Sequence, residues 1–141
     1  MAKTFQQLDN DLPTLVNDNS ANAFFDAAVV RGSVVRVSSD NHVDLALAHS
    51  DVDSDVSSLV VGLANAVYGP GEYGSYTTSG PFTCEAWNFA PGDCLYLSVT
   101  EPGGVQTAYP ETIGDRIVIL GMMLTPNTVN LKIHWALVVG T

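Results

Sequence analysis

The sequence predicts an all-β protein, a single antiparallel sandwich or barrel-like domain preceded by an N-terminal arm. Three observations carry that expectation. From residue 32 onward, turn signals built on Gly, Pro, Asn and Asp recur roughly every 8–12 residues, the spacing of sandwiches and barrels. The segments between them are β-branched or aromatic and mostly alternate apolar with polar residues. Nothing alternates strand with helix, which argues against a parallel α/β sheet. The chain has 141 residues, the size of one domain. At that length about 68% of the unfolded surface is buried, enough for a core without metals or disulfides.

The elements follow in order. Residues 1–31 are rich in Asn, Asp and Ala, with apolar residues in isolated groups at Leu12, Leu15-Val16, Phe24-Phe25 and Val29-Val30. This stretch reads as an arm, with one short helix expected at about 20–28 capped by Asn19 or Ser20. Phe24 and Phe25 have two readings: they pack into the body's core, or they dock on a neighbouring subunit, since exposed aromatics in an arm need covering. The β domain then spans 32–141. Its strands are expected at 33–38, 42–47, 59–67, 72–79, 82–89, 94–99, 105–107, 116–124 and 129–137. Asp40-Asn41, Gly69-Pro70-Gly71, Gly80-Pro81, Pro91-Gly92, Pro102-Gly103-Gly104 and Thr125-Pro126-Asn127-Thr128 form the turns. Gly62, inside an apolar ribbon, marks a bulge or a close backbone approach.

Charge narrows the function classes. Five Lys and Arg stand against fifteen Asp and Glu, a formal net charge of −10, and the basic residues are scattered. A nucleic-acid footprint needs clustered cations, so direct DNA or RNA binding is not expected. An anionic membrane surface is disfavoured for the same reason. No apolar run approaches the ~20 residues of a spanning helix. The first residues lack the apolar stretch of a signal peptide, so synthesis and folding in a cytoplasm are expected. Charged residues make up only 14% of the chain, against a typical ~25%. Uncharged polar residues and protein–protein contacts, whose cores are charge-poor, are the candidates for covering the remaining surface.

No chemistry-bearing constellation emerges. Asp51-Val52-Asp53-Ser54-Asp55 matches the start of a calcium loop, but Val56 stands where the loop needs Gly and Gly62 where it needs an acid. His42 and His49 read as surface residues and His134 as a structural strand residue; none has metal-ligand spacing. Nucleophile elbow, phosphate loop and paired-acid patterns are missing, so no catalytic, cofactor or metal site is expected, and no enzyme. Cys84 and Cys94 read as small buried hydrophobes, with a disulfide between facing strands as the other option.

A succession of landmarks resembles the small all-β modules of tailed-phage virions, above all capsid decoration (cement) proteins and related fibre or head-fibre modules. Gly32-Ser33-Val34-Val35-Arg36-Val37 is similar to their opening strand, and Val60-Val61-Gly62-Leu63-Ala64 to a central one. Pro91-Gly92-Asp93-Cys94-Leu95-Tyr96-Leu97-Ser98 and Pro102-Gly103-Gly104-Val105-Gln106-Thr107 resemble two successive hairpin segments. Ile119-Leu120-Gly121-Met122-Met123-Leu124 resembles the closing strand. The likeness spans about residues 32–139, and the apolar run from Trp135 to Thr141 departs from it. It implies a β-tulip-like domain, a homotrimer on the capsid exterior, and the major capsid protein as partner. Leu12, Leu15, Phe24, Phe25, Tyr96 and Trp135 are the expected interface residues. Tyr96 faces either a second subunit or solvent. Two alternatives stay open: a tail, fibre or head-fibre module, and a carbohydrate-binding sandwich stacking sugars on Trp87, Tyr73, Tyr76 and Trp135.

Overall fold

A computed structural model of the chain describes residues 19–48 and 60–139, with the backbone alone at 135–138. It is all-β. Ten strands run in order: β1 (Ser20–Phe25), β2 (Val34–Ser39), β3 (His42–Leu45), β4 (Val60–Ala64), β5 (Tyr73–Thr77), β6 (Gly80–Thr83), β7 (Cys94–Leu97), β8 (Val105–Gln106), β9 (Arg116–Thr125) and β10 (Thr128–Val138). The first five close into a barrel, β1-β3-β2-β4-β5, and the others form a second sheet, β6-β10-β9-β7-β8. The pair that closes the barrel, β1 with β3, is parallel; the other pairs are antiparallel.

Residues 20–25 are therefore a strand, not the expected helix. Ala23 and Phe25 point into the barrel while Asn22 and Phe24 point out, a period of two. Alanines, good helix formers, and the Phe-Phe doublet mask that period in the sequence. Five backbone pairs with β5, from Ser20↔Thr77 to Phe24↔Tyr73, hold the segment in place. Residues 20–31 thus belong to the barrel. Leu12, Leu15, His49 and the 51–55 acidic loop lie outside the described residues.

Two cores result, and β2 and β4 serve both. Val35 and Ala64 fill the barrel with Ala23, Phe25, Val29 and Val43. Their neighbours Val34, Val60 and Leu63 face the second sheet and pack on Leu95, Leu97, Val118, Leu120, Met123, Val129 and Leu131. A strand buried on both faces loses its alternation, which accounts for the unbroken apolar runs at 34–35 and 60–64. Inside the barrel the Tyr68 ring lies against Gly74, where a Cβ would collide with it, and stacks on Phe25 at 4.7 Å.

Backbone hydrogen bonds tie the two bodies together. The turn at Pro102-Gly103 crosses from the sheet to the barrel: Val34 N–H donates to the Gly103 carbonyl and Gly103 N–H to the Ala46 carbonyl, each at 2.8 Å. Gly103 holds φ +74, and a Cβ there would meet Leu45 as well. Ala48 N–H donates to Ser98 and Arg116 N–H to Ala48. Arg31, on the barrel, adds a side-chain clamp. Its Nε donates to the Thr83 carbonyl at 2.8 Å, its Nη1 to the Asn65 carbonyl at 2.7 Å, and its guanidinium lies over the Phe82 ring.

The strand expected over 82–89 is shorter. It stops at Thr83, and residues 84–89 turn away, with Trp87 N–H donating to the Cys84 carbonyl and Phe89 N–H to Pro126. Cys84 is buried and Cys94 half-buried; both thiols are free, and Cys94 pairs across strands with Met122 rather than with Cys84. No helix among the described residues is long and apolar enough to cross a membrane.

Candidate functional site

Among the described residues, the second sheet packs one face on the barrel and has nothing packed over the other. Register defines the bare face. Gln106, Tyr96, Ile119 and His134 form one row across β8, β7, β9 and β10; Cys94, Met122, Asn130 and Pro81 form the next. Leu124 follows Met122 on the same side of β9. Met122 and Leu124 are 56% and 51% exposed, high for side chains on the middle strand of a sheet. Tyr109 meets the Tyr96 ring edge-on at 5.7 Å and extends the patch past the β8 edge.

A bulge sets this face. The β9–β10 register shifts between Leu131 and His134, and Gly121 sits at φ +153 against the Asn130 carbonyl. On one side of the bulge Val118 and Leu120 point inward; on the other, Met123 does. Without the shift, a run as apolar as 117–124 would not deliver Ile119, Met122 and Leu124 to the same surface.

The electrostatics of the face differ from those of the whole chain. Its five strands carry no Asp or Glu, although the chain has fifteen. Lys132 and His134 are the exposed basic groups there. Burial, with a contribution from the neighbouring Cys94 thiol, pushes the Tyr96 hydroxyl up to about 12, so Tyr96 stays neutral. A carboxylate-free sheet face that exposes Met122 and Leu124 in a strongly acidic protein is depleted in charge, as interface cores are.

The outer wall of the barrel is chemically distinct from this face. On the outer wall of the barrel, Tyr73, Phe24 and His42 stand side by side across β5, β1 and β3, with ring centroids 4.9 and 5.2 Å apart. Asp26 accepts hydrogen bonds from Ser38 Oγ and from His42 Nδ1, the latter at 2.8 Å. These two bonds, Ser38 first, hold its carboxyl below the ordinary range. Ser38 donates to the carboxylate, not to the imidazole, so the trio lacks the Ser–His contact of a nucleophilic triad.

Of the expected interface residues, the three whose side chains are described, Phe24, Phe25 and Tyr96, lie apart. Tyr96 lies on β7 of the second sheet and Phe24 on the outer wall of the barrel. Phe25 is sealed in the barrel core with no exposed surface, so it serves packing and not docking. Trp135 pairs through its backbone with Val118. Cys94, Ile119, Met122, Leu124 and His134 were missed by sequence reasoning; the one signal that could have found them was the glycine interrupting 116–124. Of the aromatics considered for sugar stacking, Tyr73 is exposed, Tyr76 packs on the barrel core, and Trp87 packs between Phe82 and Phe89. These three form no shared platform. Among the described residues no group of three or more His, Cys, Asp or Glu is placed to hold a metal ion. In comparison with known proteins, no family model matches the chain and no curated protein matches it.

Proposed function

We propose that the chain is a virion structural protein, a capsid decoration protein that binds the assembled shell of major capsid protein on its exterior and stabilises it as a homotrimer. The reading makes it a binding protein and not an enzyme. The observation that supports it is the face of the second sheet around Tyr96, Ile119, Met122 and Leu124, where Met122 and Leu124 are exposed and no strand carries a carboxylate. A shell contact of this kind works through apolar area withdrawn from water at about 25 cal/mol per Å2. Repeated over a symmetric lattice, many modest contacts add to a durable one. The turn-locked backbone suits the task, because a face that is already rigid loses little conformational freedom on docking.

Co-sedimentation with undecorated shells tests the reading. Met122→Glu together with Leu124→Glu should abolish shell binding while the far-ultraviolet spectrum is retained. Binding by the double variant at the level of the parent protein would sink the assignment of this face. Analytical ultracentrifugation tests the trimer separately. For the N-terminal segment the appropriate deletion is 2–18, since removing residues up to 30 would also remove β1 of the barrel.

A further inference from the structure

Closure of the barrel assembles a second exposed patch. β1 lies between β5 and β3, and Phe24 is in register with Tyr73 on one side and with His42 on the other. Residues far apart in the chain thus meet in one aromatic row on the outer wall. Tyr73 is 56% exposed, Phe24 38% and the His42 side chain 41%. Two strand spacings make the row about 10 Å long. Of the aromatics considered for sugar stacking it includes Tyr73; its neighbours Phe24 and His42 are supplied by strand register.

Polar side chains edge the row. Asn22 stands on the same outward side of β1 as Phe24, and Asp44 on the same side of β3 as His42. Asp26 takes one hydrogen bond on each carboxylate oxygen, from His42 Nδ1 and from Ser38 Oγ. A carboxylate has about four acceptor sites, so Asp26 still has room to accept from a ligand. The charged groups near the row are the acids Asp26, Asp40, Asp44 and Glu72 and the base Arg36, with His42 in the row itself. Arg36 is the only Lys or Arg on the five barrel strands, and it pairs with Asp44 at 3.7 Å.

That composition selects among ligands. Four acids against one paired base repel phosphates, so a nucleic acid is disfavoured even though its bases stack on aromatic rings. A stable protein contact takes roughly 800 Å2 from each partner and has a charge-poor centre. Three partly exposed rings flanked by carboxylates supply neither. A neutral sugar chain fits on both counts: its C–H faces lie on aromatic rings, and its hydroxyls donate to carboxylates and amides. We propose that this row is a binding site for a neutral oligosaccharide, which stacks on Tyr73 and Phe24 and hydrogen-bonds to Asp26 and Asn22. The planes of Tyr73 and Phe24 differ by 62°, so successive sugar units meet rings of different tilt, as a chain that turns about each linkage requires. The inference is independent of the virion reading, because it concerns a different surface.

Titration of the isotope-labelled full chain with cellohexaose and with chitohexaose, followed by amide nuclear magnetic resonance, tests it. At least one of the two should shift the amides of residues 22–26, 40–44 and 72–75 in a saturable way and leave those of β7 to β10 in place. Tyr73→Ala should weaken that binding by about tenfold or more, and Asp26→Ala severalfold. Both side chains are exposed, so the circular dichroism spectrum should not change. The lack of a saturable shift with either sugar overturns the proposal, as does undiminished binding by either variant. Tighter binding of oligothymidylate at the same amides overturns it too. So does broadening of those amides as the protein alone is concentrated, which places a second copy on the rings.

Discussion

The barrel and the second sheet solve the same problem in different ways. A strand with one apolar face must cover it. The barrel does so by closing on itself: Phe25, Val35, Val43 and Ala64 fill its interior, and Tyr68 completes the packing over Gly74. The sheet covers one face with the barrel and leaves the other exposed, with Met122 and Leu124 in the open. Closure also uses up strand edges, whereas the sheet keeps two and blunts them with Pro81 and a two-residue β8. The difference teaches where function is to be sought. The closed body buries its apolar side chains; the open one leaves some of them exposed.

The sharpest way to break this comparison is to empty each core in turn. Phe25→Ala in the barrel and Leu97→Ala at the junction should each cost about 3–5 and 2–5 kcal/mol, respectively. Both side chains are fully buried. If barrel and sheet fold as one unit, each variant lowers a single thermal transition. Two separated transitions in Phe25→Ala would show that the backbone bonds from Gly103 and Ala48 do not couple the bodies. Gly74→Ala comes next, at about 1–3 kcal/mol, because its Cβ would displace the Tyr68 ring. Chemical denaturation reads both effects.

Removing the clamp sharpens the comparison further. Arg31→Ala loses two hydrogen bonds to carbonyls and a cation–π contact at 4.3 Å. A loss of about 1–2 kcal/mol is expected, less than for the core variants because the side chain is exposed. The sheet-face variants come lower still. Met122→Glu should change stability by no more than about 0.5 kcal/mol, as surface substitutions do. A large loss would mean that the face is needed for folding and not free for docking.

The smallest effect concerns the barrel wall. Asp26 has a carboxyl pKa below its ordinary 3.8, through Ser38 and His42. A depressed folded-state value contributes stability above the unfolded pKa, and that contribution is lost as pH falls through the folded one. The parent chain should therefore lose some stability below about pH 4, and Asp26→Asn should flatten that part of the curve. An identical acid limb in the variant would remove Asp26 from the balance.

Much of this architecture is legible from residues alone. Gly32, Gly69-Pro70-Gly71, Pro91-Gly92 and Pro102-Gly103 each punctuate the chain where the structure turns, and the apolar ribbons between them become strands. The failures share a cause. At 20–25, local propensity favoured a helix, but pairing with Thr77 to Tyr73 decides otherwise. At 84–89, aromatic residues suit a strand, yet Trp87 N–H turns back to the Cys84 carbonyl and Phe89 N–H bonds the Pro126 carbonyl. Distant partners override weak local preferences in both places.

For the open face of the second sheet, the sequence by itself determined the charge-poor character of 116–137 and the turns that frame it. Those depend on residue chemistry and on φ preferences, which act within a few positions. Only the tertiary structure decided that β2 and β4 are buried on both sides, that Phe24 and Tyr96 lie on different bodies, and that a bulge at Gly121 gathers Ile119, Met122 and Leu124 on one face. Those outcomes depend on register between strands far apart in the chain. A one-residue slip exchanges every inward side chain for an outward one, and no local pattern records it.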